Sequence, residues 1–395
     1  MLNTKSQLVP MTGSEAIAQA VKQSNVDFVS AYPITPQTII VERISDLVAN
    51  GETKASFINV ESEHSALSAC VGASLAGGRA FTATSSQGLA LMHEVMYLTS
   101  GLRCPIVMSV ANRALSAPIN IHGDHSDIMG SRDSGWIQLY VENAQEAYDW
   151  VIQAYRIAED ERVSLPFTVN MDGYVVTHSV EPISLLEDTT VNEFLPPRKA
   201  RFTLDTGSPI TFGTLTLPDY YFEFKRQQEE AMRVVPEVFG EITKDFTEIS
   251  GRRYEPISAY GLENARVAII SLGSASGTIR WVARKLRKQG LPVGAARLSL
   301  FRPFPHQEIG RLLEHLDIVI VLDRALSPGA HCGPLASSIV CSLYNRSEQP
   351  RVLDVVYGLG GRDLSPENVE QIFRTGLEAA PKPIGLEMEF TGVRE

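Results

Sequence analysis

Short apolar runs alternate with longer amphipathic segments from the amino terminus to residue 180. This alternation is typical of an α/β domain, in which helices cover a mostly parallel sheet. The predicted strands are Phe28–Ala31, Ser56–Asn59, Ala80–Thr84, 106–110 and 167–170. The predicted helices begin near Gly13, Thr35, Ser62, Gly88 and Asn143, several of them behind a Ser, Thr or Asn cap.

The alternation breaks at residue 181 and resumes at residue 265. The segment between contains Leu-Pro-Pro at 195–197 and a charged helix predicted over 220–242, and we interpret it as a connector arm. Beyond it, the predicted strands are 267–272, Val293–Leu298 and 318–322, with one helix ending at Lys288 and another over 305–315. The pattern therefore predicts two doubly wound α/β domains, over residues 1–250 with the arm included and over 255–395.

The composition is that of an ordinary globular protein, with 44% hydrophobic and 21% charged residues. The formal net charge of −11 argues against nucleic-acid binding, because phosphate backbones select for Lys and Arg. No apolar run is long enough for a membrane span, and residues 1–10 lack the apolar core of a signal peptide. We therefore expect a cytoplasmic protein.

The four cysteines are widely spaced in the sequence. Cys70, Cys104, Cys332 and Cys341 form no CxxC pair, so we expect neither a zinc site nor an iron–sulfur cluster in this chain. Any electron-transfer chemistry would then need clusters on another subunit.

Polar segments follow several of the predicted strands. Segment 32–36 (Tyr-Pro-Ile-Thr-Pro) places Thr35 at the carboxyl end of a strand, where open α/β sheets bind ligands. Thr35 either contacts a ligand or caps a helix. The hydroxyl-rich turn at 82–88, which contains Ser86, also suits a polar ligand.

Two carboxylates lie on either side of a helix cap in segment 60–65 (Val-Glu-Ser-Glu-His-Ser). Glu61 and Glu63 either complement the dipole of the helix that begins there, or one of them faces a buried ligand nitrogen. The helix is rich in small residues, and these allow another backbone to approach closely.

Arg113 stands at the carboxyl end of another predicted strand, a position from which a guanidinium group can clamp a substrate carboxylate. Asp124, His125 and Asp127 resemble a metal cluster, but they lie in one short loop, and we predict no metal site in the chain. Segment 273–277 resembles a dinucleotide-binding loop without the full glycine fingerprint.

Taken in order, these segments resemble the alpha subunits of pyruvate-type 2-oxoacid:ferredoxin oxidoreductases, which depend on thiamine diphosphate. The same resemblance includes Pro-Asp-Tyr-Tyr at 218–221, Leu-Phe-Arg-Pro-Phe-Pro at 300–305, Asp-Arg-Ala at 323–325 and Gly-Leu-Gly-Gly-Arg-Asp at 358–363. It extends over nearly the whole chain. It implies a domain that binds the cofactor's pyrimidine ring, followed by a domain similar to the transketolase C-terminal domain.

The resemblance also implies roles for single residues. Glu63 would hydrogen-bond the aminopyrimidine and favour the tautomer that deprotonates the thiazolium carbon. Pro33 and Ser86 would contact the cofactor beside Glu63. Arg113 would hold the substrate carboxylate, and Thr35 would hydrogen-bond an oxygen of the substrate or intermediate.

One expected motif is missing, since no Gly-Asp-Gly sequence for the diphosphate and Mg²⁺ is present and Asp172-Gly173 is only a fragment of it. The resemblance therefore implies a beta subunit that supplies the diphosphate site, Mg²⁺ and a [4Fe-4S] cluster. It further implies gamma and delta subunits, ferredoxin as electron acceptor, and a dimer of heterotrimers or heterotetramers.

The substrate is left open between pyruvate and oxalate. His122 occupies a position that is usually a large aromatic residue in the pyruvate enzymes, so it either indicates a more polar substrate such as oxalate or is a surface residue. Two other functions are alternatives: a non-catalytic assembly subunit, or a transketolase-like group transferase.

Overall fold

Two mostly parallel β-sheets, each with helices on both faces, form most of the fold. The computed structural model describes residues 7–379 and 388–394. Of residues 1–10, which lack the apolar core of a signal peptide, the first six lie outside the described residues. The strands are β1 (Gln7–Thr12), β2 (Phe28–Ala31), β3 (Ser56–Asn59), β4 (Ala80–Thr84), β5 (Val107–Asn112), β6 (Ile137–Tyr140), β7 (Phe167–Asp172), β8 (Val180–Leu185), β9 (Ile257–Tyr260), β10 (Val267–Ser271), β11 (Val293–Leu298), β12 (Leu300–Arg302), β13 (Ile318–Asp323), β14 (Arg351–Val356) and β15 (Met388–Phe390).

The helices separate the strands in the alternating manner of a doubly wound fold. They are α1 (Gly13–Gln23), α2 (Thr38–Ala49), α3 (Glu63–Leu75), α4 (Ser86–Gly101), α5 (Ser126–Met129), α6 (Ala144–Ala158), α7 (Asp188–Phe194), α8 (Pro218–Ser250), α9 (Ala275–Lys288), α10 (His306–Leu313), α11 (Pro334–Leu343) and α12 (Pro366–Ala379). Among the described residues, no helix is both long and apolar enough to cross a membrane.

The first sheet has the strand order β12-β6-β7-β5-β4-β2-β3, and every pair in it is parallel except β12 with β6. The strands predicted in this half of the chain are present. Two of them run further than predicted, to Asn112 and to Asp172, because the added residues are buried like the rest of the strand. Strands β6 and β12 were not predicted from the sequence.

Helix caps explain where several helices begin. Thr12 and Glu15 form a capping box on α1, Ser62 caps α3, and Asn143 caps α6, as their sequence positions predicted. The start predicted near Thr35 was wrong, because a turn that closes from the Gln37 N–H to the Ile34 carbonyl precedes the helix.

Two other helix boundaries differ from the prediction. The fourth helix begins at Ser86, ahead of Gly88. Helix α8 covers Pro218–Ser250 rather than 220–242, and it ends where Gly251 takes a left-handed conformation. Its carboxyl half packs on α6, with Phe239 stacked on Trp150 at 5.0 Å between ring centres, while its first turns are exposed.

The second sheet has the order β15-β14-β13-β10-β11-β9, parallel except for β9. One hydrophobic cluster includes residues of both sheets, for example Met108 and Val110 from the first and Ile270 and Val321 from the second. The predicted boundaries at 250 and 255 stay a prediction, and β12 extends from the second half of the chain into the first sheet.

Two buried carboxyl groups lie close together, Asp323 at the end of β13 and Asp354 within β14. Asp323 accepts hydrogen bonds from the Leu335 and Ala336 N–H groups, and Asp354 accepts one from the Gly333 N–H. Burial, and then the neighbouring carboxylate, raise the pKa of Asp323 to about 8, and burial also raises the pKa of Asp354. The pair therefore retains a proton in the folded chain.

This proton makes the stability of the second domain depend on pH. Between about pH 4 and the raised pKa, the folded chain binds a proton that the unfolded chain has released, so the free energy of unfolding falls as pH rises, by at most about 1.4 kcal/mol per pH unit. In Asp354→Asn an amide hydrogen replaces the shared proton, and we expect a shallower slope. Urea unfolding at pH 5 and at pH 8 measures how the free energy of unfolding changes with pH. An equal change in the variant and the wild type would contradict the shared proton.

Candidate active site

The carboxyl edge of the first sheet brings the predicted site residues into one region. Thr35 follows β2, Glu63 follows β3, Ser86 follows β4, Arg113 follows β5, and Asp172 ends β7. Strands β7, β5, β4, β2 and β3 are consecutive neighbours in the sheet. The loops that leave them in the same direction therefore lie side by side, which is the position of ligand sites in open α/β sheets.

Glu63 is the first residue of α3, and its side chain is 7% exposed. Its carboxylate lies over the backbone of Gly88, where a Cβ atom would be 2.5 Å from Glu63 Oε1 and 2.6 Å from Thr84 Oγ1. Within residues 7–379 and 388–394, neither the Glu63 carboxylate nor Thr84 Oγ1 has a hydrogen-bond partner. A buried carboxylate without a partner fits a ligand that donates a hydrogen bond to it, such as the pyrimidine ring of thiamine diphosphate.

Arg113 is 6% exposed and is held from two sides. Its Nε donates to the Asn120 carbonyl at 2.8 Å, and its Nη1 donates to the Thr35 carbonyl at 3.0 Å. In the described part of the chain, Nη2 has no hydrogen bond and no carboxylate pairs with the guanidinium. The buried cation is thus oriented by carbonyl groups and retains donors for an anionic ligand.

The other predicted contact residues differ in their surroundings. Thr35 and Pro33 are exposed at the edge of the sheet, and Thr35 uses its carbonyl oxygen to hold Arg113. Ser86 is fully buried, with its Oγ 2.5 Å from the Ala114 carbonyl oxygen and its N–H bonded to Asp127. Ser86 therefore bonds to the protein in this structure, while the Thr35 hydroxyl has no hydrogen bond to any residue that the structure describes.

Asp127 joins the start of α4 to the end of β5. Its Oδ2 accepts the N–H groups of Ser86 at 3.0 Å and Arg113 at 2.9 Å, and its Oδ1 accepts Asn112 Nδ2 and the Ile128 N–H. Burial raises the pKa of Asp127 to about 6. The Asp127 carboxylate, which resembled a metal ligand in the sequence, thus accepts hydrogen bonds from backbone and amide donors. Among the described residues, no group of three or more side chains could hold a metal ion.

The loop between β5 and α5, residues 113–125, is the Arg113 loop, and His122 lies on its solvent-exposed side. Its ring is tilted against Tyr174 at 4.9 Å between centres, and Tyr174 packs on His178 at 4.6 Å. Its carbonyl accepts the Ala114 N–H at 3.1 Å, so its backbone is fixed beside the end of β5. The His122 side chain is exposed at the rim of the candidate site.

Asp172 belongs to a buried ion network between the two sheets. It lies 2.6 Å from His125 Nε2 and 3.0 Å from Arg324 Nη1, and it accepts the N–H of Ser274 at 2.8 Å. Burial alone would raise the pKa of Asp172, but Arg324 and His125 outweigh it and hold the pKa well below its usual range. Both the Asp172-Gly173 fragment and the turn at 273–277 are therefore used in a contact between domains.

Sequence reasoning missed the residues that support the Arg113 loop. Asn120 lies within this loop and accepts a hydrogen bond from Nε of Arg113. Tyr174 packs on the ring of His122, and Gly360 accepts a hydrogen bond from the Asn120 side chain. Only Gly360 belongs to a segment that the sequence analysis noted, the glycine-rich 358–363. Asn120 and Tyr174 carry no signal of spacing or composition that distinguishes them from other loop residues.

Comparison with known proteins places the chain among oxidoreductase subunits. A family model described as "Pyruvate flavodoxin/ferredoxin oxidoreductase, thiamine diP-binding" matches residues 19–244, and one described as "Pyruvate:ferredoxin oxidoreductase core domain II" matches residues 265–369. Pyruvate synthase subunit PorA of Thermotoga maritima is 49% identical over 388 residues, covering 98% of each chain. Ketoisovalerate oxidoreductase subunit VorA of Pyrococcus horikoshii is 42% identical, covering 92% of each.

Solved structures show the same fold at low sequence identity. A 2-oxoglutarate:ferredoxin oxidoreductase from Magnetococcus marinus has a TM-score of 0.74 at 21% identity, over 93% of this chain and 65% of that one. An inactive beta4 tetramer of a split-gene transketolase has a TM-score of 0.55 at 13% identity, over 94% of this chain and 99% of that one. Both support the prediction of two transketolase-like α/β units.

Proposed function

The chain belongs to the pyruvate:ferredoxin oxidoreductase family as an alpha subunit, and on that premise we propose that it binds thiamine diphosphate through Glu63 and the carboxylate of pyruvate through Arg113. The reaction would convert pyruvate, coenzyme A and two oxidised ferredoxins into acetyl-coenzyme A, carbon dioxide, two reduced ferredoxins and one proton. Bound thiamine diphosphate supplies the electron sink for cleavage of the carbon–carbon bond.

Arg113 carries this proposal. A guanidinium that is 6% exposed and lacks a carboxylate partner among the described residues has an unmet desolvation cost. The carboxylate of a small 2-oxo acid would offset that cost through Nη2 and the remaining Nη1 hydrogen. Thr35, whose carbonyl already holds Arg113, would place its hydroxyl beside the 2-oxo group.

Glu63 would hold a proton toward the pyrimidine ring of the cofactor. Its carboxylate lies in a buried position with no partner among the described residues, and the close approach of Gly88 leaves no room for a side chain on that face. Ser86 and Pro33 would border the same ligand, Ser86 through its backbone position and Pro33 from the rim.

Pyruvate is the proposed substrate, and oxalate is a second candidate that rests on His122. Relatives named pyruvate synthase subunits support pyruvate. The imidazole of His122 is exposed at the rim beside the Arg113 loop, where it would pair with the second carboxylate of oxalate. Oxalate would yield two carbon dioxide molecules and require no coenzyme A.

A partner subunit would complete the site. The chain is one subunit of a multi-subunit enzyme, and no Gly-Asp-Gly sequence for a diphosphate–Mg²⁺ site occurs in it. A beta subunit would supply Mg²⁺, the diphosphate contacts and a [4Fe-4S] cluster, with gamma and delta subunits and ferredoxin completing electron transfer in a dimer of heterotrimers or heterotetramers. The arm presents an exposed apolar surface for such partners, formed by Phe202, Leu204, Ile210, Leu215, Leu217, Tyr220, Tyr221, Phe222 and Phe224.

The test is a viologen-reduction assay of the complete complex with pyruvate, oxalate or 2-oxoisovalerate, each with and without coenzyme A. We expect turnover of pyruvate that depends on coenzyme A, and none from this chain purified alone, because the diphosphate site and the clusters are on partners. Turnover of oxalate without coenzyme A would instead favour the second candidate.

Two other outcomes would indicate the alternative functions, an assembly subunit or a transketolase-like group transferase. A complex that assembles but reduces no viologen with any 2-oxo acid would indicate an assembly subunit without catalysis. Product formation from a 2-oxo acid without any electron acceptor would indicate a transketolase-like group transferase. Tight, Mg²⁺-dependent binding of thiamine diphosphate by the chain alone would contradict the shared site.

A further inference from the structure

A glycine-rich turn of the second domain contacts the loop that holds Arg113. The turn comprises residues 358–361, between β14 and α12, and we refer to it as the glycine turn. Gly358, Gly360 and Gly361 have φ angles of +64°, +59° and +79°, a region that side chains rarely adopt. The turn thus depends on glycine for its backbone conformation as well as for space.

Each of these glycines lies against a different residue near the site. A Cβ atom on Gly360 would be 2.5 Å from Asn120 Nδ2, and one on Gly358 would be 3.1 Å from Arg324 Nε. A Cβ atom on Gly361 would overlap the Cβ of His122. The absence of side chains therefore lets the second domain approach the Arg113 loop at backbone distance.

Asn120 connects the glycine turn to Arg113. Its side-chain Nδ2 donates to the Gly360 carbonyl at 3.1 Å, and its Oδ1 accepts the His122 N–H at 2.6 Å. Its backbone carbonyl accepts Nε of Arg113 at 2.8 Å. One residue therefore binds the guanidinium, fixes the backbone at His122 and attaches both to the second domain.

Neighbouring contacts hold the two domains in a fixed relation at this point. The Gly360 N–H donates to Asp124 Oδ2 at 3.0 Å, and the His125 N–H donates to the Arg324 carbonyl at 2.8 Å. The buried Asp172–Arg324 ion pair lies in the same region. A displacement of the glycine turn would therefore move Asn120 and, through it, the Arg113 guanidinium.

We propose that the glycine turn of the second domain positions Arg113 for the substrate carboxylate, with Asn120 as the positioning residue between them. This inference rests on the proposed function of Arg113. It assigns to the second domain a part in substrate binding in addition to any role in assembly. Gly360 takes part in this contact only through its backbone N–H and carbonyl groups, so the arrangement depends on the backbone shape of the turn.

The test is steady-state kinetics of the complete complex carrying Gly360→Ala or Asn120→Ala. We expect KM for the 2-oxo acid, and the inhibition constant of the unreactive analogue oxamate, to rise about 10- to 100-fold, because small displacements of a substrate-holding group have effects of this size. We expect kcat to change far less and the dissociation constant of thiamine diphosphate to stay constant. If Gly360→Ala does not assemble, Asn120→Ala decides, since it retains the carbonyl that holds Arg113.

A matched control and a double variant make the result specific. Gly290 has a φ of +85° in the same domain, and no described residue lies within 4 Å of its Cβ position, so Gly290→Ala introduces the same backbone strain and should leave KM unchanged. In an Arg113→Ala background, Gly360→Ala should have little further effect on KM, because both changes act through one guanidinium. Effects of the two substitutions on KM that are independent and multiply would overturn the inference.

If Arg113→Ala itself leaves KM unchanged, the proposed function fails. If it raises KM while the Gly360 and Asn120 variants do not, only the positioning role fails.

Discussion

Replacing Glu63 by glutamine is expected to lower kcat of the assembled complex by about 10²- to 10⁴-fold, the usual contribution of a group that transfers a proton in the reaction. Glutamine has nearly the same shape, so the tight approach of Gly88 to the side chain is preserved. It cannot hold a proton for the pyrimidine ring, because an amide does not ionise. Viologen reduction with pyruvate and coenzyme A measures the loss.

Glu61 provides the matched control for this substitution. It lies two positions earlier in the same segment, but its side chain is exposed and bonds to Ser65 Oγ at 2.5 Å. Glu61→Gln should leave kcat within about twofold of the wild type, as for most surface substitutions. Gel filtration should show that both variants assemble. Equal activity of the Glu63 variant and the Glu61 variant would remove Glu63 from the mechanism.

Replacing Arg113 by alanine is expected to lower kcat/KM for pyruvate by about 30- to 4,000-fold, which corresponds to about 2–5 kcal/mol for truncating one member of a buried charge pair. Most of the loss should be in KM, because the guanidinium pairs with the carboxylate of the bound substrate, and that carboxylate loses its charge as it leaves as carbon dioxide. Initial rates at several pyruvate concentrations separate KM from kcat. The affinity for thiamine diphosphate should not change.

Lysine at position 113 distinguishes charge from geometry. Arg113→Lys retains the positive charge, but its donors share one nitrogen and cannot hold Asn120, Thr35 and both oxygens of a carboxylate at once, so we expect an intermediate loss. Arg43→Ala is the control, because Arg43 is half exposed on α2 and lies 3.8 Å from Asp46. Full activity of Arg113→Ala with pyruvate would exclude Arg113 as the carboxylate clamp.

Local signals in the sequence were sufficient for most of the first sheet and for several helix starts. Ser62 and Asn143 predicted the helices that they cap, because a cap acts over three or four residues. Arg113 was noted because a charged residue at the carboxyl end of an apolar strand contrasts sharply with that strand. Glu61 and Glu63 were noted as carboxylates on either side of a helix cap, and only the resemblance to a family singled out Glu63. The motif resemblance then indicated the family, and the matching family models agree with it.

Features that depend on distant pairing were not predictable in the same way. The contact between Asn120 and Gly360 joins residues 240 positions apart, and nothing near Asn120 indicates it. Strand β12 has only three residues and is recognisable only by its pairing with β6. The turn that precedes α2 is likewise supported from a distance, because the Gln37 side chain in it donates to the Ala83 carbonyl in a neighbouring strand.

Strand β12 has a consequence for how the gene can be divided. Leu300 and Arg302 close the edge of the first sheet beside β6, although they are encoded after β9, β10 and β11 of the second sheet. A gene split between the two sheets would leave β6 as an unpaired edge in the first product, and open edges favour aggregation. A split of the gene at the linker between the two sheets is therefore disfavoured, although this linker looks like the most suitable place for one. The coding sequences of the two halves should stay in one gene.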